Sequence, residues 1–189
     1  MNESTTTKRA IKLAVHDYLG QYKKHPWLFI GGFVLPAIGN ILVFFVPPLI
    51  LAHILDTFTQ TGSITLESAM PSIILMASLW FLGEACWRAG VYFSNRLIEV
   101  GCNDLGRRAF AKLQSRDYDF YANHFVGSLT KKAGAYMGHF VNFTQVLSYD
   151  FFTNVFPAIF AIIVLLKYSL IIPAILLGTV FIAICIALP

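Results

Sequence analysis

The sequence predicts an all-α membrane protein, and three observations carry that reading. The 189 residues are 57% hydrophobic and only 13% charged, about half the charge of an ordinary soluble domain. Several apolar runs exceed the about 20 residues that a helix needs to cross a bilayer. The cations are also unevenly placed. Of the 14 Lys and Arg residues, five (Lys8, Arg9, Lys12, Lys23 and Lys24) precede the first apolar run. Seven more (Arg96, Arg107, Arg108, Lys112, Arg116, Lys131 and Lys132) lie between the second and third, and Asp56 to Met70 holds none. The positive-inside rule places both basic regions in the cytoplasm. The excess charge of +4 therefore serves membrane topology rather than nucleic acid. The expected environment is the lipid bilayer, in the plasma or inner membrane.

The elements follow in order. Residues 1–26 form a cytoplasmic N-terminus. Within it Ile11, Ala14, Val15, Tyr18, Leu19 and Tyr22 recur at helical spacing, as expected of an amphipathic helix lying on the inner membrane surface. His25-Pro26-Trp27 turns the chain, with Pro at a helix start and Trp at headgroup level. The first span covers about residues 27–55 and is interrupted by Pro36, Gly39, Asn40 and Pro47-Pro48. Each proline removes a backbone donor and kinks the helix. After a short outer loop the second span occupies about residues 69–95.

The helical pattern does not stop at the inner face. Ile98, Cys102, Leu105, Ala109 and Leu113 continue it, with polar residues on the other faces. From Met70 to Arg116 is about 70 Å of helix, so a rod of roughly 35–40 Å should project beyond a ~30 Å hydrocarbon core. A third helix begins near Ser128 and spans the membrane over about 140–166. Gly134 and Gly138 form a small-xxx-small pair that suits close helix approach. Lys167 and Tyr168 make a tight outer turn. A fourth span fills about 168–189 and is still apolar at Pro189, so the sequence reads as cut off. The cytoplasmic segment is thus about 96–139, inside a membrane domain of 27–189.

At the far end of the projecting rod lies Asp117-Tyr118-Asp119-Phe120-Tyr121-Ala122-Asn123-His124, followed by Gly127. A turn so far from the bilayer needs an aromatic face to dock and polar groups to stay soluble. Asp117 or Asp119 suits a helix cap, Phe120 and Tyr121 suit interface anchors, and Gly127 suits the turn into the third helix. The stretch "LGRRAFAKLQSRDYDFYANHFVGSLTKK" resembles the first intracellular loop of ABC exporter transmembrane domains. The shared positions are Leu105, Phe110, Leu113, Phe120-Tyr121, Gly127, Leu129 and Lys131-Lys132. The family often carries an Asp near the position of Tyr136, where this chain departs. The resemblance implies a surface elbow helix and the first four helices of a six-helix domain. It implies a coupling segment of Tyr118, Asp119, Phe120, Tyr121, His124 and Gly127 that docks on a nucleotide-binding domain. It implies ATP and Mg on that domain, and a second subunit, identical or not. The chain itself has no GxxxxGK[ST] loop and needs no cofactor of its own.

Three charges fall inside the apolar runs. Glu84 and Arg88 lie one turn apart in the second span, and Asp150 lies in the third. Charges in hydrocarbon are costly, so they should line a substrate path or bridge helices. His53 and Asp56 are two potential cation ligands without a third. Cys86, Cys102 and Cys185 are odd in number and lack CxxC spacing, which reads as packing rather than a disulfide or metal site. Two other readings remain beside transport. One is a stand-alone four-span anchor or scaffold that recruits a cytoplasmic partner. The other is a membrane enzyme using Glu84 and Asp150.

Overall fold

A computed structural model describes residues 3–61, 66–117, 120–121, 126–168, 170–175 and 177–179. Among the described residues there are helices and no strand. The order is α1 (Glu3–Lys24), α2 (Pro26–Asn40), a π-helical turn (Ile41–Phe45), α3 (Val46–Thr61), α4 (Leu66–Gln114), α5 (Val126–Gln145), a second π-helical segment (Val146–Phe152) and α6 (Thr153–Leu166). Three stretches are long and apolar enough to cross a membrane, Pro26–Thr59, Leu66–Gln114 and Gly127–Leu166. The all-α membrane architecture expected from hydropathy is thus present.

Helix α4 is unbroken for 49 residues, about 74 Å at 1.5 Å per residue. The amphipathic continuation beyond the span is therefore one rod with the span itself. Lys167 and Tyr168 close the outer turn, their N–H groups bonding to Val164 O at 3.1 Å and Leu165 O at 3.0 Å. Residues 171–175 and 177–179 are helical again; the rest of the expected fourth span lies outside the described residues.

The chain divides into two compact units, Met1–Pro36 with Cys86–Phe152, and Ala37–Ala85 with Thr153–Pro189. In the first unit, α1 does not lie apart as a surface helix. Only His25 separates it from α2, and backbone bonds continue across the joint, His25 N–H to Gln21 O at 3.2 Å and Phe29 N–H to His25 O at 3.0 Å. Successive contacts then run in register. Tyr18 meets Tyr136 and Phe140, Tyr22 meets Phe140 and Thr144, and Gly32 meets Ser94 and Ser148. So α1–α2 runs beside α5 in the same direction, and against α4.

The amphipathic stripe divides accordingly. Tyr18 and Tyr22 are buried against α4 and α5, with Ala14 packed behind them, while Ile11 and Leu19 remain exposed. Protein, rather than a membrane surface, takes most of the stripe, because the α4–α5 pair offers an aromatic seam for the tyrosines. That seam is the core of the unit: Tyr18, Tyr22, Phe33, Leu97, Leu105 and Phe140, with Phe29, Phe143 and Phe152 against it.

The close approaches fall at glycines other than the expected pair. A Cβ on Gly32 would lie 2.9 Å from the Ser94 backbone, and one on Gly101 would lie 2.4 Å from the Phe140 ring. In the second unit, Gly83 sits in the same way against Val43 and Gly39 O. A Cβ on Gly134 or Gly138 would meet nothing within 4 Å. These two face outward on α5, so their spacing marks no close contact among the described residues. The start of α5 differs too, at Val126 rather than near Ser128, and α1 begins at Glu3.

Candidate coupling tip and membrane charges

Helix α4 ends at Gln114, where its last carbonyls lose their intrahelical donors. Leu113 O is covered twice. It accepts from the Arg116 N–H at 3.0 Å and from the Tyr121 hydroxyl at 2.6 Å. Asp117 O accepts from the Phe120 N–H at 3.1 Å, which closes a turn before helical Phe120 and Tyr121. The Phe120 and Tyr121 rings meet edge to face with centroids 5.6 Å apart. The Arg116 guanidinium carbon stands 5.6 Å from the Phe120 ring centre, within cation–π range.

The aromatic pair is therefore not two free anchors. Tyr121 bolts the turn onto the end of α4. Phe120 is half-buried and lines a groove of about 650 Å³ with Leu13, Leu113 and Leu129, rimmed by Arg108, Lys112, Arg116 and Lys132. Gly127 is the second residue of α5, helical and exposed, so the turn is made before it. Tyr118, Asp119 and His124 lie outside the described residues.

Along the same hairpin, α1 is held by a polar cluster that the sequence reading did not find. Asp104 Oδ2 accepts from Lys24 Nζ at 2.6 Å and Gln21 Nε2 at 2.9 Å, and pairs with the Arg108 guanidinium at 3.1 Å. These donors hold the Asp104 carboxyl below the usual carboxylate range, the Lys24 bond first among them. On the α5 side, Tyr18 donates to Tyr136 O at 2.8 Å, and Tyr136 donates to Asp17 Oδ2 at 3.0 Å. The spacing of Asp17, Gln21 and Lys24, on one side of α1 at three and four residues, was the available signal.

Inside the spans, two prolines set the polar chemistry. Pro36 has no N–H, so the carbonyl four residues earlier, Gly32 O, has no helical donor. The buried Ser148 hydroxyl donates to it at 2.7 Å. Pro157 frees Thr153 O in the same way, and the Asn40 side-chain amide donates to that oxygen at 2.8 Å. The first capture lies in the first unit and the second in the second unit. The Pro47-Pro48 kink takes a different form. The Val46 N–H bonds back to Ile41 O, so the helix widens to a π-turn just before the two rings, which then occupy the first turn of α3.

The three membrane charges are placed individually. Glu84 and Arg88 are exposed on α4, and Asp150 is exposed on the second π-helical segment. His53 and Asp56 are exposed on α3, and among the described residues no three His, Cys, Asp or Glu side chains gather to hold a metal ion.

Compared with known protein families, residues 29–188 match the ABC transporter transmembrane region. The chain belongs to that family. No curated protein and no solved structure matches it. This is a transmembrane part of an ABC transporter, and its apolar helices place it in a membrane. Within it, the Tyr121 hydroxyl joins the tip to the last turn of the 49-residue α4.

Proposed function

We propose that this chain forms part of the substrate path of an ATP-driven exporter, and that residues 117–127 receive the motion of a nucleotide-binding domain. The Tyr121 hydroxyl bond to Leu113 O at 2.6 Å carries the reading. A coupling element must be stiff toward the helix it drives, and this bond joins the turn to a 49-residue rod. Phe120, half-exposed beside Arg116, is the contact residue; Tyr118, Asp119 and His124 complete its face, and Gly127 starts the return helix. ATP and Mg belong to the associated nucleotide-binding domain. A second subunit, identical or not, completes the path, with Glu84, Arg88 and Asp150 as its polar lining. The basic ends Lys23-Lys24 and Lys131-Lys132 favour a cytoplasmic N-terminus and hairpin in the plasma or inner membrane.

The test is a Phe120→Ala/Tyr121→Ala pair in the complete transporter, reconstituted with its nucleotide-binding domains. ATP hydrolysis should persist while transport per ATP falls roughly tenfold, the loss of one interface hot spot of about 1–2 kcal/mol. Transport that tracks hydrolysis as in the parent protein rejects the coupling role.

A further inference from the structure

The apolar stretch of α2 opens at Trp27, whose side chain is 81% exposed. An exposed Trp at the end of a span belongs to the headgroup layer. Lys24 and His25 lie within one turn of it. The 2.6 Å pair between Lys24 and Asp104 brings residues 100–107 of α4 to that same layer. Between them is a cavity of about 320 Å³ lined by Lys24, His25, Val100, Asn103, Asp104 and Arg107.

Its charges do not cancel. Asp104 already accepts from Lys24 and Gln21 and pairs with Arg108, so its carboxylate is offset by two cations. Arg107 joins no ion pair among the described residues. Its guanidinium fork suits a phosphate, and Asn103 and His25 add hydrogen-bonding side chains at the same wall. A basic pocket between helices at the membrane boundary is the setting in which a lipid phosphate is held.

We propose that this cavity binds the phosphate of an anionic phospholipid headgroup, in the leaflet on the Lys24 side, with Arg107 as its principal contact. The site tethers the α1–α4 junction to the bilayer at the point where the rod leaves it. It requires only that α2 spans the membrane, and is independent of the coupling role of the tip.

The purified chain would be titrated in detergent with phosphatidylglycerol, phosphatidylcholine or inorganic phosphate, and bound lipid counted by native mass spectrometry. Phosphatidylglycerol should bind more tightly than phosphatidylcholine. Arg107→Gln should weaken it roughly tenfold, the loss of a charge-assisted bond. Asn103→Ala should weaken it about threefold and serves as a second probe of the pocket. Lys112→Gln, which lies outside the cavity, should change nothing. Equal binding of the two lipids, or undiminished binding in both pocket variants, overturns the site. Displacement of phosphatidylglycerol by millimolar inorganic phosphate, lost in Arg107→Gln, assigns the pocket to free phosphate and overturns the lipid.

Discussion

Pro36 and Pro157 each delete one donor from a helix that has no water to replace it. The free carbonyl is tolerable only where another side chain reaches it. Ser148 and Asn40 do this for Gly32 O and Thr153 O. The pairing gives a prediction with an internal control. Ser148→Ala should lower stability by about 1–2 kcal/mol, since it leaves a buried carbonyl without a donor. In a Pro36→Ala background the helix supplies its own N–H, so the same substitution should cost about half as much or less. Reversible unfolding in mixed micelles would measure both, through the double-mutant cycle. Equal costs in the two backgrounds would mean that Ser148 acts by packing alone and that Pro36 is irrelevant to it.

At the scale of elements, the seam between α2 and α4 depends on the absence of side chains. Gly32 lets its helix meet the Ser94 backbone, where an added Cβ would sit at 2.9 Å. Backbone cannot rotate away as a side chain can, so Gly32→Ala should cost about 1–3 kcal/mol by overpacking. Gly134→Ala should be neutral or stabilising by up to about 1 kcal/mol, because it meets open space on a helix and improves propensity. Thermal denaturation of the two variants decides this, and a reversed ranking would put the seam elsewhere.

Sequence pattern alone favoured Gly134 and Gly138, since small-xxx-small spacing says that a helix can be approached without saying that it is. The hydropathy runs and the four-residue recurrence from Ile98 to Leu113 did reveal the length of α4, because burial on one face follows helix geometry over many turns. The direction of α1 was hidden for the opposite reason. An amphipathic stripe is the same whether lipid or protein covers it, and only the aromatic partners at Phe140 and Phe143 distinguish the two. The tip was legible as a place, from its aromatic pair between two helical patterns. That Tyr121 turns inward to Leu113 O was not, because a hydroxyl's partner eight residues away depends on the turn between them.

At the scale of the whole molecule, most of the apolar helix surface is open. Only 28%, 6% and 11% of the most apolar windows of the three long helices are buried, so lipid or further protein must cover the rest. Lipid suffices for apolar side chains but not for Arg88 and Asp150. The register within the first unit gives their depth. Gly90 packs on Pro36 and Ser148 bonds to Gly32, which puts Arg88 about 15–18 Å and Asp150 about 12 Å from the Pro26 end of the span. Those depths lie within a ~30 Å hydrocarbon core, where a bare charge costs about 2.5–3.5 kcal/mol even on the mildest scales. An exposed charge such as Arg88 at that depth needs water or a polar neighbour, which the substrate path proposed above would supply. In a complete transporter with its native cysteines replaced, Arg88→Cys should react with a membrane-impermeant thiol reagent from the aqueous side, and transported substrate should slow the labelling several-fold. A cysteine at the apolar Phe81 position, 79% exposed, should react only with a lipid-soluble maleimide. If the Arg88 position instead behaves like Phe81, no water reaches it. Its charge would then be neutralised by protein contacts, and the substrate path would have to lie on another face of α4.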